Sequence, residues 1–184
     1  MVKQSTYTYK SLLAEKSFLK VQERARLVTG INLISIDYVD NTIIFQCNSV
    51  STPGKTYSVL IQLSSLSPEE VISAGSSLAT VLRDARIKVY CSCPAFLYWG
   101  FKWKAWSLGY GLFSETRFPK VRNPGVRGFV CKHLYACLLA YPFWVPDIGK
   151  KLRVHYTSDQ QAQISDALRV ALSDKHILDA RARD

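Results

Sequence analysis

The chain has no long apolar run. No stretch reaches the roughly 18 residues that a membrane-spanning helix needs, and the longest candidate, residues 134–145, is interrupted by Pro142. A membrane partner is therefore not expected. The first residues, Met1-Val2-Lys3-Gln4-Ser5-Thr6, lack the apolar centre of an export signal, which points to synthesis in the cytoplasm. There is no internal repeat and no low-complexity tract. Gly100, Gly109 and Gly111 show no phosphate-loop spacing and read as turn residues. Histidine is scarce, at 3 residues, and no constellation of Asp, Glu, His or Ser has the look of a catalytic group. No small-molecule substrate is expected, and the chain reads as a non-enzyme. Acidic residues are missing where basic ones are dense. Residues 86–153 hold twelve of the 24 Lys and Arg but only Glu115 and Asp147 of the 14 acids, so this stretch carries the whole net charge of +10. That excess suits an anionic partner, either nucleic acid or an acidic protein face, and suits equally a solvated surface.

What remains is enough for a folded domain. At 184 residues with 48% hydrophobic and 21% charged residues, the chain can bury a core and belongs with globular proteins. Residues 9–27 read as a helix, with Leu12, Phe18, Leu19, Val21 and Ala25 as its stripe and Gly30 beyond its end. Three strands follow at residues 33–39, 42–48 and 56–63. Ile34, Ile36 and Tyr38 share one face of the first, and Asp40-Asn41 and Ser51-Thr52-Pro53-Gly54-Lys55 supply the turns. Ser67-Pro68-Glu69-Glu70 is a helix start with a capping box, and Val71, Ala74, Leu78, Val81 and Leu82 continue it to about Arg83. A fourth strand spans residues 86–91. After a long irregular interval, residues 131–141 read as a helix, Pro142 and Pro146 as a turn, and residues 159–172 as a last helix with Ile164, Leu168, Ala171 and Leu172 inward. The expected class is α+β: a small antiparallel β-meander with flanking helices. Residues 1–85, 86–141 and 142–184 are its three regions, joined in one compact domain.

Cys91-Ser92-Cys93 and Cys131-Lys132-His133 supply three thiols and one imidazole, the donor set of a closed tetrahedral zinc site. The first pair ends a strand and the second opens a helix, so four side chains can meet at one ion. In a reducing compartment, metal binding is commoner than disulfides. A helix N-terminus and nearby Lys88, Arg127 and Lys132 should lower a thiol pKa there, and His133 should give its second nitrogen to an acceptor. The alternative is a set of buried thiols and a core histidine. Cys47 reads as core. Cys137, one turn after His133, is expected on the packed face of the helix or, failing that, as a substitute ligand.

Cys-x-Cys followed by Pro94, and Cys-Lys-His-Leu at residues 131–134, resemble the SWIM-type zinc finger. The resemblance implies a strand–strand–helix unit over residues 86–141 with structural Zn2+ at Cys91, Cys93, Cys131 and His133, serving DNA binding or protein–protein contact. The interval of residues 94–130 is longer than is usual for that family. With Arg122-Asn123-Pro124 and Gly128 it is similar to SWIM-containing proteins of large tailed bacteriophages, which implies a place in a virion.

The interval holds ten aromatic residues, among them Trp99, Trp103 and Trp106 interleaved with Lys102 and Lys104. At spacings of four and three the three indoles fit one helical face. They are candidate anchors for other protein subunits of an assembly, which gives the expected function: a zinc-stabilised interaction module and structural component of a large assembly. The alternative is DNA or RNA binding, with bases on the rings and phosphates on Lys102, Lys104, Arg117, Lys120, Arg122 and Arg127.

Overall fold

A computed structural model describes residues 5–15 and 19–181. Four antiparallel strands form one sheet in the order β1-β2-β3-β4, with β1 Asn32–Asp37, β2 Thr42–Asn48, β3 Thr56–Leu63 and β4 Ile87–Cys91. Helices flank the sheet, so the fold is α+β. Period-two alternation builds its inner face. Ile43, Phe45 and Cys47 of β2 lie opposite Ile61, Val59 and Tyr57 of β3, and all are buried. Ile87, Val89 and Cys91 extend that face across β4. Asn41 makes the tight β1–β2 turn at a φ of 57°, a left-handed conformation that asparagine tolerates.

Strand β1 departs from the expected alternation. Its register slips between Leu33 and Ser35, so Leu33 pairs with Phe45 while Ile36 pairs with Ile43. Ile34 is the extra residue of a β-bulge and is 53% exposed, where it was expected beside Ile36 on the inner face. Leu33 takes its place against the core.

The helices are α1 Tyr9–Ala14, α2 Leu19–Ala25, α3 Pro68–Ser73, α4 Leu78–Asp84, α5 Pro94–Tyr98, α6 Phe101–Ser107 and α7 Lys132–Arg181. The single helix expected over residues 9–27 is interrupted. Thr8 and Ser11 form a capping box at the start of α1, and Glu15 ends it in an extended conformation. Leu12 and Ala25 are buried as expected, Leu19 is exposed, and Phe18 lies outside the described residues. Ser67 and Glu70 do form the capping box of α3. Gly75, at a φ of 52°, then opens a short 3-10 turn that separates α3 from α4.

The largest departure is α7. It runs without a break through Pro142 and Pro146, where a turn and a second helix were expected. A proline inside a helix costs about 3 kcal/mol through its lost N–H and its clash with the preceding turn. Burial offsets it: Leu134, Leu138, Tyr141, Val145, Ile148 and Leu152 all lie in the core and form one stripe through both prolines. The Tyr141 hydroxyl donates to the Leu82 carbonyl at 2.9 Å, and the Tyr156 hydroxyl donates to Tyr38 and pairs with Asn41. Gly149 lets α7 approach α4, since a Cβ there would sit 3.3 Å from Leu78 and Leu82. Ile164 is exposed instead of inward; Leu168, Ala171 and Leu172 lie outside the residues whose side chains are described. Among the described residues, no helix is long and apolar enough to cross a membrane.

The outer edge of β4 is covered rather than open. Tyr7 accepts from the Ile87 amide at 2.7 Å and the Ser5 hydroxyl donates to the Ile87 carbonyl at 2.6 Å. Two residues on, the Val89 amide donates to Tyr110 at 2.8 Å and its carbonyl accepts from Leu112 at 3.0 Å. The long interval between the cysteine pairs is thus fastened to the sheet at its midpoint, and an aggregation-prone edge is protected.

Candidate metal centre

Cys91 closes β4 opposite Val59, which fixes its side chain on the inner face. Ser92 holds the next step: its amide donates to the Ser58 carbonyl at 3.0 Å and its hydroxyl accepts from the Ser58 amide at 2.9 Å. Both cysteines of the first pair are therefore clamped to β3. Cys93 caps α5, accepting from the Phe96 amide at 3.4 Å, with Pro94 in the first helical position. On the other side, the Tyr110 hydroxyl donates to the Phe129 carbonyl at 2.8 Å and steers the chain into buried Val130 and Cys131. The Cys131 carbonyl accepts from the Tyr135 amide at 2.9 Å, and the first turn of α7 presents His133.

The three sulfurs and the imidazole come within 4.8 Å of one another, and all four residues are buried. This cluster could hold a metal ion. Neither ring nitrogen of His133 has a hydrogen-bond partner, although both are buried. An unpaired buried polar atom costs roughly 1–3 kcal/mol, and ligation of an ion removes one such cost. Three soft thiolate donors with one imidazole suit zinc geometry and chemistry. The expected acceptor for the second nitrogen is not found; the Tyr57 ring faces His133 instead, 4.7 Å between centroids.

The thiols do not behave as expected from nearby lysines and the helix start. Burial pushes Cys91 and Cys131 well above the ordinary thiol value, and at Cys131 the neighbouring Cys91 thiol and, less, the Leu134 amide only partly oppose it. Cys93 alone is pulled down, chiefly by hydrogen bonds from Cys131 and Cys91. Desolvation outweighs the local positive charge at Cys91 and Cys131, and ligation of a cation there requires the thiols to give up their protons. Cys137 is no substitute ligand. Its thiol lies beside that of Cys47, and both are free cysteines buried in the core apart from the cluster.

The interval folds into two short helices and an extended return. Gly100, at a φ of 82°, separates α5 from α6, and a Cβ there would meet Pro119 at 2.4 Å. The three indoles therefore do not share one helical face: Trp99 ends α5, while Trp103 and Trp106 lie on α6, whose buried residues are Phe101 and Ala105. Trp103 is half-buried, edge-on to Phe118 at 4.9 Å. Trp99 and Trp106 are exposed by 45% and 39%. Three of the six candidate phosphate ligands already have partners. Arg117 makes two hydrogen bonds of 2.9 Å to Glu115, Lys102 lies 3.6 Å from the same carboxylate, and Lys104 donates to the Val126 carbonyl at 3.1 Å. Lys120, Arg122 and Arg127 are exposed.

One feature was not legible beforehand. A cleft of about 710 Å³ opens beside the cluster, reached by Cys93, Cys131 and His133 and walled by α2, the β2–β3 turn and α5. The nearest sequence signal is the positive charge of Lys20, Arg24 and Lys55, which a linear reading scatters over separate segments.

No family model matches the chain, and neither a curated protein nor a solved structure does.

Proposed function

We propose that the chain is a non-enzymatic, zinc-stabilised interaction module whose SWIM-like unit presents the interval of residues 94–130 to other protein subunits of an assembly. The observation that carries this reading is the set of large apolar side chains left in solvent on that interval: Tyr98, Trp106, Leu108, Phe113, Phe118 and Val121 are all exposed. Monomeric surfaces rarely keep so much apolar area in one segment unless a partner covers it. A structural role for the ion is supported by four protein donors, all buried, which would fill the four positions of a closed zinc site. No carboxylate belongs to the cluster, and the buried carboxylate of Glu115 is engaged by Arg117 and Lys102. The resemblance to tailed-phage proteins makes a virion the natural assembly to examine. Replacing Trp106, and separately Trp103, with Ala tests the reading by native mass spectrometry of the purified protein and of its co-expressed complexes. Weakened association with intact zinc content supports it. Unchanged association in both variants contradicts it.

A further inference from the structure

We propose that the cleft beside the metal centre is a nucleotide site: it takes a nucleobase on an apolar wall and the attached phosphate on a ring of cations. This site is separate from the exposed rings on the rest of the interval and does not depend on the assembly reading.

The cations come from three elements that only the fold brings together. Lys20 and Arg24 project from α2, Lys55 from the β2–β3 turn, and Lys132 from the start of α7. Among the described residues none of the four makes an ion pair, and no carboxylate lines the cleft. Four like charges around one cavity repel one another, and no carboxylate among the described residues pairs with them to offset this. Such an arrangement focuses positive potential into the cleft and raises the local concentration of anions. Lys55 already sits 5.5 Å over the Tyr57 ring, poised at the cleft edge rather than drawn into a salt bridge.

The walls between the cations are apolar: Tyr57, Pro94, Ala95, Trp99 and Phe101. An inorganic anion would not use them, and an apolar ligand would not use the cations. A ring carrying phosphate uses both. The volume of about 710 Å³ falls among ordinary small-ligand sites, roughly 300–1,000 Å³, and suits one or two nucleotides. The Trp99 backbone is fixed: its amide donates to Ala95 at 3.1 Å and its carbonyl accepts from Asn123 at 3.0 Å. Its indole, 45% exposed, lines the cleft and is open to a stacking base. Lys20, Lys55 and Lys132 can meet phosphate as point charges, and Arg24 can offer it a pair of donors.

The free nucleotide and the single strand share this chemistry, and one experiment separates them. Binding of a short labelled oligothymidylate to the full chain is followed by fluorescence anisotropy at several salt concentrations, with adenosine monophosphate, adenosine triphosphate and polyglutamate as competitors. Trp99→Ala should weaken binding about tenfold, the loss of one stacked base. Lys20→Gln with Arg24→Gln should reduce the salt slope by about 1.4, the loss of two phosphate contacts on a single strand. Lys150→Gln with Lys151→Gln, an equal charge change on an exposed stretch of α7, should leave binding unaltered. Displacement by the free nucleotides at comparable concentration assigns the site to a free nucleotide, and displacement by oligonucleotide alone assigns it to a strand; either supports the proposal. The α2 pair lies on exposed positions and carries the test if Trp99→Ala fails to fold. Absence of binding at low salt, displacement by polyglutamate as effective as by nucleotide, or an equal loss in the α7 pair would overturn it.

Discussion

The rings of Tyr57 and His133 face each other at 4.7 Å, tilted by 44°, and join the third strand of the sheet to the first turn of the last helix at the metal cluster. The cluster is therefore part of the inner face of the sheet rather than an appendage. Tyr57 lies opposite Cys47, whose thiol donates to the Tyr57 carbonyl at 3.7 Å and lies beside Cys137, one turn beyond His133. Damage at the cluster should be felt locally and strongly, and less at the far side of the sheet.

Chelation gives the first expectation. Metal loss should open residues 94–100 and 131–134 before β2 and β3, because α5 is entered through Cys93 and α7 through Cys131. The meander keeps its own paired strands and buried face. Hydrogen exchange with and without chelator checks this. Protection lost to the same extent in residues 42–63 would contradict it.

Gly111 supplies the second. A Cβ at this position would lie 2.6 Å from the Trp106 amide nitrogen and 2.9 Å from the Ala105 carbonyl carbon, both backbone atoms that cannot swing away. Gly111 also donates to Ala105 at 2.8 Å, at the point where the interval is fastened to β4. Gly111→Ala should cost about 1–3 kcal/mol, the usual range for overpacking, measured by urea unfolding. A stability within about 0.5 kcal/mol of the parent, the range of an ordinary surface change, would show that the junction is looser than described.

The third concerns acid. Hydrogen bonds from Arg117 hold the Glu115 carboxyl down at about 2, with Lys102 adding to the effect. An unfolded glutamate titrates near 4.3. The folded value is depressed, so the stabilisation is fully present above the unfolded value and is lost as pH falls towards the folded one. Arg117 is exposed, which keeps the effect modest. The stability advantage over Glu115→Gln should be constant above about pH 5 and shrink below about pH 4. An advantage that persists unchanged to pH 2 would contradict the pairing.

Much of the fold is written in short-range signals. The spans of β2 and β3, the capping box at Ser67 and Glu70, and the class of the fold follow from alternation and capping chemistry. The four residues of the cluster were legible because their types and pairing are rare by chance. What was hidden depends on distant partners. Pro142 and Pro146 are strong local breakers, and only the buried stripe from Leu134 to Leu152 shows that packing overrides them. The bulge at Ile34 exists because Leu33 pairs with Phe45 on the neighbouring strand. Gly100 breaks the indole stripe through its contact with Pro119, nineteen positions away. Lys20, Arg24 and Lys55 lie in the part of the chain whose charges balance, and only the fold gathers them into one cleft with Lys132.

Cys91, Cys93, Cys131 and His133 are proposed to hold one zinc ion together in a closed shell. Zinc K-edge X-ray absorption on the purified full chain, with metal content measured on the same sample, decides this. One ion per chain is expected, with three sulfurs at about 2.3 Å and one imidazole nitrogen at about 2.0–2.1 Å, and His133→Ala should lose the nitrogen shell. A shell dominated by oxygen, or a chain that stays folded and metal-free after exposure to zinc, would contradict it.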